Sequence, residues 1–227
     1  MRVTEDDISA CSAERRRMVE QQIMARGIRD KRVIDAMRRV PRHLFLSAES
    51  KPNAYDDHPV AIACGQTVSQ PYMVAAMTEL LEMEGQEHAL EIGTGAGYQT
   101  AILARLARSV ISMERHAALA DAAHQRLDAL GYENVTVLVG DGSLGCPEHA
   151  PYDAILVTAG APEVPRTLQR QLADRGRLVA PVGNADMQRL MKIERRGDEF
   201  VTTKGMACRF VPLIGVHGWP ELPRQEP

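Results

Sequence analysis

The chain of 227 residues has only four cysteines, and their spacing argues against a metal site. Cys11, Cys64, Cys146 and Cys208 are far apart, and none of them forms a C-x-x-C pair. Cys146 and His149 make a lone C-x-x-H without a second pair of ligands, so we expect no bound metal. Isolated cysteines favour reduced thiols and therefore a cytoplasmic protein.

Long apolar runs and an excess of one charge are also missing. No stretch reaches the roughly 18 consecutive apolar residues of a membrane-spanning helix, and the N-terminal MRVTEDDISACSAERRR lacks the apolar core of a signal peptide. Lysine and arginine total 27, and aspartate and glutamate total 30, which gives a net charge of −3. We therefore expect neither a membrane nor a nucleic acid as a partner.

Two helical patterns open the chain. The first covers residues 12–26 and ends at Gly27, which suits a left-handed C-cap. The second starts at Asp30 as its N-cap, has apolar residues at helical spacing and stops at Pro41. These patterns predict a helical N-terminal part.

From residue 88 onward, short apolar runs alternate with helical patterns. This alternation predicts an α/β fold with a mostly parallel, doubly wound sheet that helices cover on both faces. Only a turn near residues 196–198 separates the last two strands, so we expect them to form an antiparallel C-terminal hairpin. The predicted strands are 88–92, 110–113, 135–139, 153–157, 177–180, 190–194 and 206–211, and the predicted helices between them are 98–107, 117–130 and 165–172.

The polar segment GQTVSQPY precedes a third helical pattern. Pro71 suits the first turn of a helix, and Ser69 or Gln70 can cap that helix. The hydroxyls of Thr67 and Ser69, with the amide groups at the helix start, can also hold a carboxylate or the amino-acid end of a cofactor. Gln66 can supply both a donor and an acceptor. The same segment can therefore cap the helix and bind a ligand.

A glycine-rich motif, EIGTGAG, directly follows the first predicted strand. Glycines at every second position let the backbone turn sharply and approach a ligand closely. The helix that follows directs its N-terminal amide groups into the same space. We expect the cofactor site to include Glu91, Gly93, Thr94, Gly95 and Gly97.

Acidic residues stand at the ends of the next two predicted strands. Glu114 lies 21 residues after Gly93, the separation expected for a carboxylate that binds ribose hydroxyls. Asp141 and Gly142 follow the third strand, where the Asp141 carboxylate can accept a hydrogen bond from an adenine amino group. Because the carboxyl ends of parallel strands share one edge of a sheet, these residues predict a nucleoside site.

The spacing of the glycines indicates which class of nucleoside-binding protein the loop resembles. A dinucleotide fingerprint would be G-x-G-x-x-G, whereas this loop is G-x-G-x-G, so a dinucleotide oxidoreductase is disfavoured. The tighter loop, with an acid two residues before its first glycine, resembles that of the S-adenosylmethionine-dependent methyltransferases. Their Rossmann-like fold is the one we expect here.

A more specific resemblance covers nearly the whole chain, from about Met18 to Trp219. The chain resembles the protein-L-isoaspartate (D-aspartate) O-methyltransferases, and the segment GQTVSQPY separates this family from general methyltransferases. The other matching segments are VPR with Phe45, MTELL, LEIGTGAGYQTAILA, GDG, APYDAILVTAGAPEVP, GRLVAPVG and RFVPL.

The resemblance implies a repair activity. Members methylate the α-carboxylate of L-isoaspartyl residues in damaged proteins and peptides, and the ester then re-forms a succinimide. The expected cofactor is S-adenosylmethionine, and its product is S-adenosylhomocysteine. Ser69 corresponds to the family's catalytic serine, and we expect it to position the carboxylate. The resemblance also places substrate-contacting backbone at Val211-Pro212-Leu213.

The chain departs from the family pattern just before GQTVSQPY. Ala61 stands where proline is usual, and Ala63 stands where glycine is usual. Both changes bear on the backbone of this loop. Two alternatives therefore stay open: a methyltransferase of the same fold that acts on a small molecule, and a cofactor-binding module without catalysis.

The predicted domain organisation is simple. Residues 1–17 form an N-terminal extension, and 18–219 form a single methyltransferase domain. Within that domain, 18–87 is a helical part and 88–219 is the cofactor-binding sheet. Residues 220–227 form a loose, proline-rich tail. We expect a monomer.

Overall fold

The computed structural model describes residues 3–221. Seven α-helices occur in this part of the chain. The helices are α1 Glu5–Ser9, α2 Ser12–Met18, α3 Lys31–Arg39, α4 Pro71–Leu80, α5 Tyr98–Ala104, α6 Ala117–Ala129 and α7 Arg166–Arg170. Among the described residues, no helix combines the length and the apolar character needed to cross a membrane.

The strands form a two-stranded ribbon and a seven-stranded sheet. The sheet order is β5-β4-β3-β6-β7-β8-β9, and β1 pairs with β2 in the separate ribbon. The strands are β1 Val60–Ala61, β2 Thr67–Val68, β3 His88–Ile92, β4 Ser109–Glu114, β5 Val135–Val139, β6 Tyr152–Val157, β7 Leu172–Gly183, β8 Gln188–Arg196 and β9 Glu199–Cys208.

The predicted mixed sheet is present. Strands β3 to β7 pair in parallel, and β8 pairs antiparallel with both β7 and β9. Alternate residues of the central strands enter different apolar clusters: Ala89 packs with the N-terminal helices, whereas Leu90 packs in the cluster that includes Leu168 of α7. Because successive side chains of a strand point to opposite faces, the two clusters lie on opposite faces of the sheet. The predicted fold class is thereby confirmed.

The N-terminal helical patterns form as their local signals predict. Helical backbone continues from α2 through a π-helical segment, Val19–Ile23, and a 3-10 turn, Met24–Arg26. Gly27 then ends it with φ +99°, a left-handed angle that favours glycine. The Asp30 side chain caps α3 by accepting from the N–H groups of Arg32 and Val33 at 2.7 and 3.3 Å.

The segment predicted as an N-terminal extension packs against the rest of the protein. Arg15 is only 7% exposed, and its Nε donates to the carbonyl of Arg38 at 2.7 Å. The carbonyl of Asp7 bonds to Nε2 of His43 at 2.9 Å. The division of the chain at residue 18 stays a prediction. At the other end, residues 222–227 of the predicted loose tail lie outside the described residues, while Glu221 pairs with Arg115 at 2.7 Å.

The C-terminal strands differ most from their predicted bounds. The last strand was predicted at 206–211, which is wrong: β9 covers Glu199–Cys208. The turn at Gly197, with φ +61°, is tight, and the pair Arg196 and Glu199 closes it. Nearly every side chain of β9 is exposed, so no alternation of apolar and polar residues marks its start. Strand β7, Leu172–Gly183, is also longer than the predicted strand 177–180. Its first residue, Leu172, pairs with Tyr152 of β6.

Candidate active site

The glycine-rich loop joins β3 to α5 at the carboxyl edge of the sheet. Gly93, Gly95 and Gly97 all have left-handed φ values, of +100°, +54° and +90°. The N–H groups of Gly93 and Thr94 both donate to the carbonyl of Met113 on β4, at 2.8 and 3.2 Å. These two bonds fix the loop on the neighbouring strand.

Thr158, at the end of β6, holds the same loop from the other side. Its hydroxyl donates to the carbonyls of Ile92 and Gly93 at 2.9 and 2.8 Å. A Cβ on Gly93 would lie 2.3 Å from this hydroxyl oxygen, so only glycine fits. We did not predict Thr158 as a site residue, although its place at a strand end beside the loop is the signal that could have found it.

Glu114 occupies the predicted place at the end of β4. It is 5% exposed, and its Oε2 accepts from the N–H of Gly95 at 2.9 Å. Its Oε1 accepts from the N–H of His116 at 3.0 Å. These two bonds fix the carboxylate at the rim of the loop, and it keeps acceptor capacity for ligand hydroxyls.

Glu91 does not reach the site, which corrects the prediction of a direct cofactor contact. The side chain has no exposed surface, and its Oε2 accepts from the hydroxyls of Thr100 and Ser112 at 2.5 and 2.6 Å. Burial raises the pKa of Glu91 to about 8. The two hydroxyl bonds lower this pKa and the nearby Glu114 carboxylate raises it, but burial has the largest effect. The side chain thus ties β3 to α5 and β4 beneath the loop.

The raised pKa of Glu91 predicts a pH-dependent stability. The folded protein retains this proton at pH values where the unfolded carboxyl, with its ordinary pKa near 4.5, has lost it. We therefore expect the free energy of unfolding to fall as pH rises from about 4.5 to 8, by up to about 1.4 kcal/mol per pH unit. Glu91→Gln keeps the shape without the titration and should flatten this slope. Urea denaturation of both proteins at pH 5 to 8 checks it, and parallel pH profiles would contradict it.

Asp141 and Gly142 follow β5, but only Gly142 faces the cleft. The Asp141 carboxylate accepts from the N–H and hydroxyl of Ser143 and from the N–H of Val216. A Cβ on Gly142 would lie 2.3 Å from Cγ2 of Ile92, so the backbone here packs directly on the end of β3.

The GQT part of the polar segment lies on the β1–β2 ribbon. Ala61 pairs with Thr67, and the N–H of Ile62 donates to the carbonyl of Gln66 at 2.9 Å. The left-handed positions of the turn are Cys64 (φ +58°) and Gly65 (φ +66°). Ala63 needs no glycine-like angle, so its departure from the family pattern leaves the turn intact.

Ser69 lies between β2 and the start of α4. Gln70 is the N-cap residue, but its side chain makes no cap bond and instead donates to the carbonyl of Asp57. The predicted side-chain cap is therefore absent. Within residues 3–221, the Ser69 hydroxyl has no hydrogen-bond partner. The N–H groups of Tyr72 and Met73 likewise have none, as is usual in a first helical turn.

These elements surround a cleft at the carboxyl ends of the parallel strands. The cleft encloses about 540 Å³, including space open to solvent. Six predicted residues line it, whereas Ser69, Glu91, Thr94, Gly97 and Asp141 do not. The six are Gln66, Thr67, Gly93, Gly95, Glu114 and Gly142.

Several lining residues were not predicted as cofactor ligands. Ile92, Met113 and Leu213 supply apolar walls, and Arg115, which pairs with Glu221, also lines the cleft. A half-buried loop whose backbone lines the cleft at Gly93 and Gly95, one fixed carboxylate and apolar walls fit a nucleoside that carries an amino-acid end. The residues present therefore fit S-adenosylmethionine. No group of three or more metal-ligating side chains occurs among residues 3–221.

Comparison with known proteins identifies the family. The family model described as Protein-L-isoaspartate(D-aspartate) O-methyltransferase (PCMT) matches residues 13–218. The chain belongs to this family. The predicted resemblance is confirmed, and the match begins close to α2.

Relatives of this methyltransferase family cover almost the whole chain. "Protein-L-isoaspartate O-methyltransferase 2" of Pelobacter propionicus is 53% identical over 204 residues, 89% of this chain and 91% of the relative. "Protein-L-isoaspartate O-methyltransferase" of Methanoregula boonei is 54% identical over 208 residues, 92% of this chain and 96% of the relative.

Solved structures of the family share the fold. A protein-L-isoaspartate O-methyltransferase aligns with a TM-score of 0.81 and 29% identity, covering 90% of this chain and 67% of the other. A candidate family member from Plasmodium falciparum, in complex with S-adenosyl-L-homocysteine, aligns with a TM-score of 0.75 and 26% identity, covering 87% and 96%. The ligand of that neighbour is the product expected from the predicted cofactor.

Proposed function

We propose that the protein transfers a methyl group from S-adenosylmethionine to the α-carboxylate of L-isoaspartyl residues in damaged proteins and peptides. The resulting ester re-forms a succinimide, whose hydrolysis restores some normal aspartate. The observation that carries this proposal is the set of unpaired donors at Ser69, Tyr72 and Met73, which closely follow Thr67 of the cofactor cleft along the chain.

The reaction needs alignment more than acid–base chemistry. An α-carboxyl group has a pKa of about 3.5, so the acceptor is already ionised near neutral pH. S-adenosylmethionine supplies the methyl group from its sulfonium centre. The protein has to hold the carboxylate oxygen in line with that methyl group and remove water from it.

Ser69 and the first turn of α4 suit the carboxylate. A serine hydroxyl and two free N–H groups are donors to a carboxylate, and the positive end of the helix dipole favours its charge. The guanidinium of Arg26 packs on this turn, 3.4 Å from the centre of the Tyr72 ring. Asp57 pairs with this guanidinium at 2.9 Å, which fixes its position.

The glycine-rich loop, Glu114 and the ribbon suit the cofactor. The carboxylate of Glu114 would accept from the ribose hydroxyls, and the loop backbone at Gly93 and Gly95 would lie against the amino-acid end. Gln66 and Thr67 face the same cleft from the ribbon. These assignments are proposals, as is the assignment of Gly142 to the nucleobase.

The segment Val211-Pro212-Leu213 would hold the peptide. It runs beside Gly160, whose N–H donates to the carbonyl of Val211 and whose carbonyl accepts from Leu213, both at 2.8 Å. All three residues line the cleft. An extended backbone at the cleft edge is the surface that an extended peptide can follow.

The setting we propose is the cytoplasm, with the enzyme acting as a monomer. All four cysteines are free thiols, which suits a reducing compartment. Isoaspartyl proteins and peptides are the only macromolecular partners in the proposal.

A pair of peptides tests the function. They are identical except for isoaspartate or aspartate at one position, and both are incubated with enzyme and S-adenosylmethionine labelled in its methyl group. We expect base-labile label on the isoaspartyl peptide alone. Label on neither peptide, with cofactor binding established by calorimetry, would refute the substrate assignment and leave a small-molecule methyltransferase or a non-catalytic module.

A further inference from the structure

One wall of the cofactor cleft is a tight loop near the end of the described chain. We define the strap as residues 213–219. The N–H of Trp219 donates to the carbonyl of Leu213 at 2.7 Å, and the N–H of Gly215 donates to the carbonyl of Trp219 at 3.2 Å. Leu213 and Ile214, at the start of the strap, line the cleft.

The base of the strap is fixed to the segment that follows β6. The N–H of Leu213 and the indole Nε1 of Trp219 both donate to the carbonyl of Gly160, at 2.8 and 3.1 Å. The tip of the strap, by contrast, is bonded to residues that follow β5.

Asp141 and Ser143 hold the tip. The N–H of Val216 donates to Asp141 Oδ2 at 2.8 Å, and the N–H of His217 donates to Ser143 Oγ at 3.0 Å. Ser143 in turn donates to Asp141 Oδ1 from its hydroxyl and its N–H, at 2.7 and 2.9 Å. A Cβ on Gly215 would lie 2.0 Å from Asp141 Oδ1, so the strap backbone rests directly on the carboxylate.

The anchor is charged. Burial alone would raise the pKa of Asp141, but the hydrogen bonds from Val216 and Ser143 outweigh burial and hold the pKa below its usual value. Hydrogen bonds to an ionised acceptor are stronger than those between neutral groups.

We propose that Asp141 is a positioning residue: with Ser143, it holds the strap closed and so completes the wall of the cofactor cleft. The inference rests on the proposed cofactor. It assigns Asp141 a role beyond the predicted contact with the adenine amino group, because most of its bonding already goes to Ser143 and the strap.

Ser143→Ala separates the two roles. The Ser143 side chain is completely buried, so it cannot touch a nucleoside. We expect about tenfold weaker binding of S-adenosylhomocysteine by calorimetry. Binding of S-inosylhomocysteine, which lacks the adenine amino group, should weaken by the same factor. Asp141→Asn should also weaken both ligands equally. Val201→Ala, which removes an exposed side chain of β9 away from the strap and its anchor, should bind like the wild type.

Amide hydrogen exchange gives a readout without ligand. Exchange at Val216 and His217 should be faster in Ser143→Ala than in the wild type, with no comparable change in β3. Gly215→Ala leaves Asp141 and Ser143 in place but puts a methyl group between the strap and the Asp141 carboxylate. It should also speed exchange at Val216 and His217, and it can replace Ser143→Ala if that variant does not fold.

The opposite pattern would overturn the proposal. If Asp141→Asn weakens only S-adenosylhomocysteine, and Ser143→Ala changes neither affinity nor exchange, Asp141 acts on adenine directly. Binding and exchange are measured without a peptide. Failure of the isoaspartyl assay would therefore remove the proposed substrate and leave this test unaffected.

Discussion

Ser69→Ala should lower turnover on an isoaspartyl peptide by about 100-fold while S-adenosylhomocysteine binds as in the wild type. Removing one preorganised donor from a reacting site has an effect of about this size. The structure gives the Ser69 hydroxyl no internal partner among residues 3–221, so its loss should change the free energy of unfolding by less than about 0.5 kcal/mol. Steady-state kinetics, calorimetry and urea denaturation measure the three quantities.

Ser47→Ala is the matched control. Ser47 is also a loop serine in the helical part of the chain, and its hydroxyl bonds to its neighbours Ser50, at 3.3 Å, and Glu49. It should retain full turnover. Wild-type turnover in Ser69→Ala would refute the assignment, and a loss of turnover that merely follows a loss of stability would show a structural role.

Gly93→Ala should abolish measurable cofactor binding and lower the free energy of unfolding by about 3 kcal/mol. A non-glycine residue at φ +100° is strained by about 1–3 kcal/mol, and overpacking in a rigid site adds a similar amount. The added methyl group would collide with Thr158, which also holds Ile92. The loop would have to leave the strand ends, and the cleft would lose its floor. Calorimetry and urea denaturation test both effects.

Gly95→Ala provides the comparison within the same loop. Its φ is also left-handed, but the nearest atom to an added Cβ is Cδ1 of Ile62 at 3.7 Å. Only the backbone strain remains, which should lower the free energy of unfolding by about 1 kcal/mol. Equal losses of stability in the two variants would show that the contact with Thr158 is unimportant.

Local signals predicted the elements that local interactions form. Strand β3, the glycine-rich turn and α5 follow one another directly, so the spacing of Gly93 and Gly95 was enough to place the loop. Glu114 was found for a similar reason, because parallel neighbouring strands end at the same edge. The Asp30 cap and the Gly27 stop depend on a few adjacent residues.

Local patterns do not show the contacts that distant residues make. Glu91 was expected at the cofactor, but it turns inward to Thr100 and Ser112. The partners of Asp141 include Val216, 75 residues away along the chain. The bounds of β9 follow from its pairing with β8, since its own exposed side chains carry no alternating pattern. None of these contacts leaves a signal in the neighbouring sequence.

The strap has a consequence for synthesis of the protein. The floor of the cleft is complete once β3 to β6 have formed, whereas its wall comes from residues 211–214, near the end of the matched family region. A chain that emerges from the ribosome therefore presents the glycine-rich loop long before it can enclose a nucleoside. Cofactor affinity should arise late, as the strap docks on Asp141, so that the nascent chain folds without the ligand that it will later use.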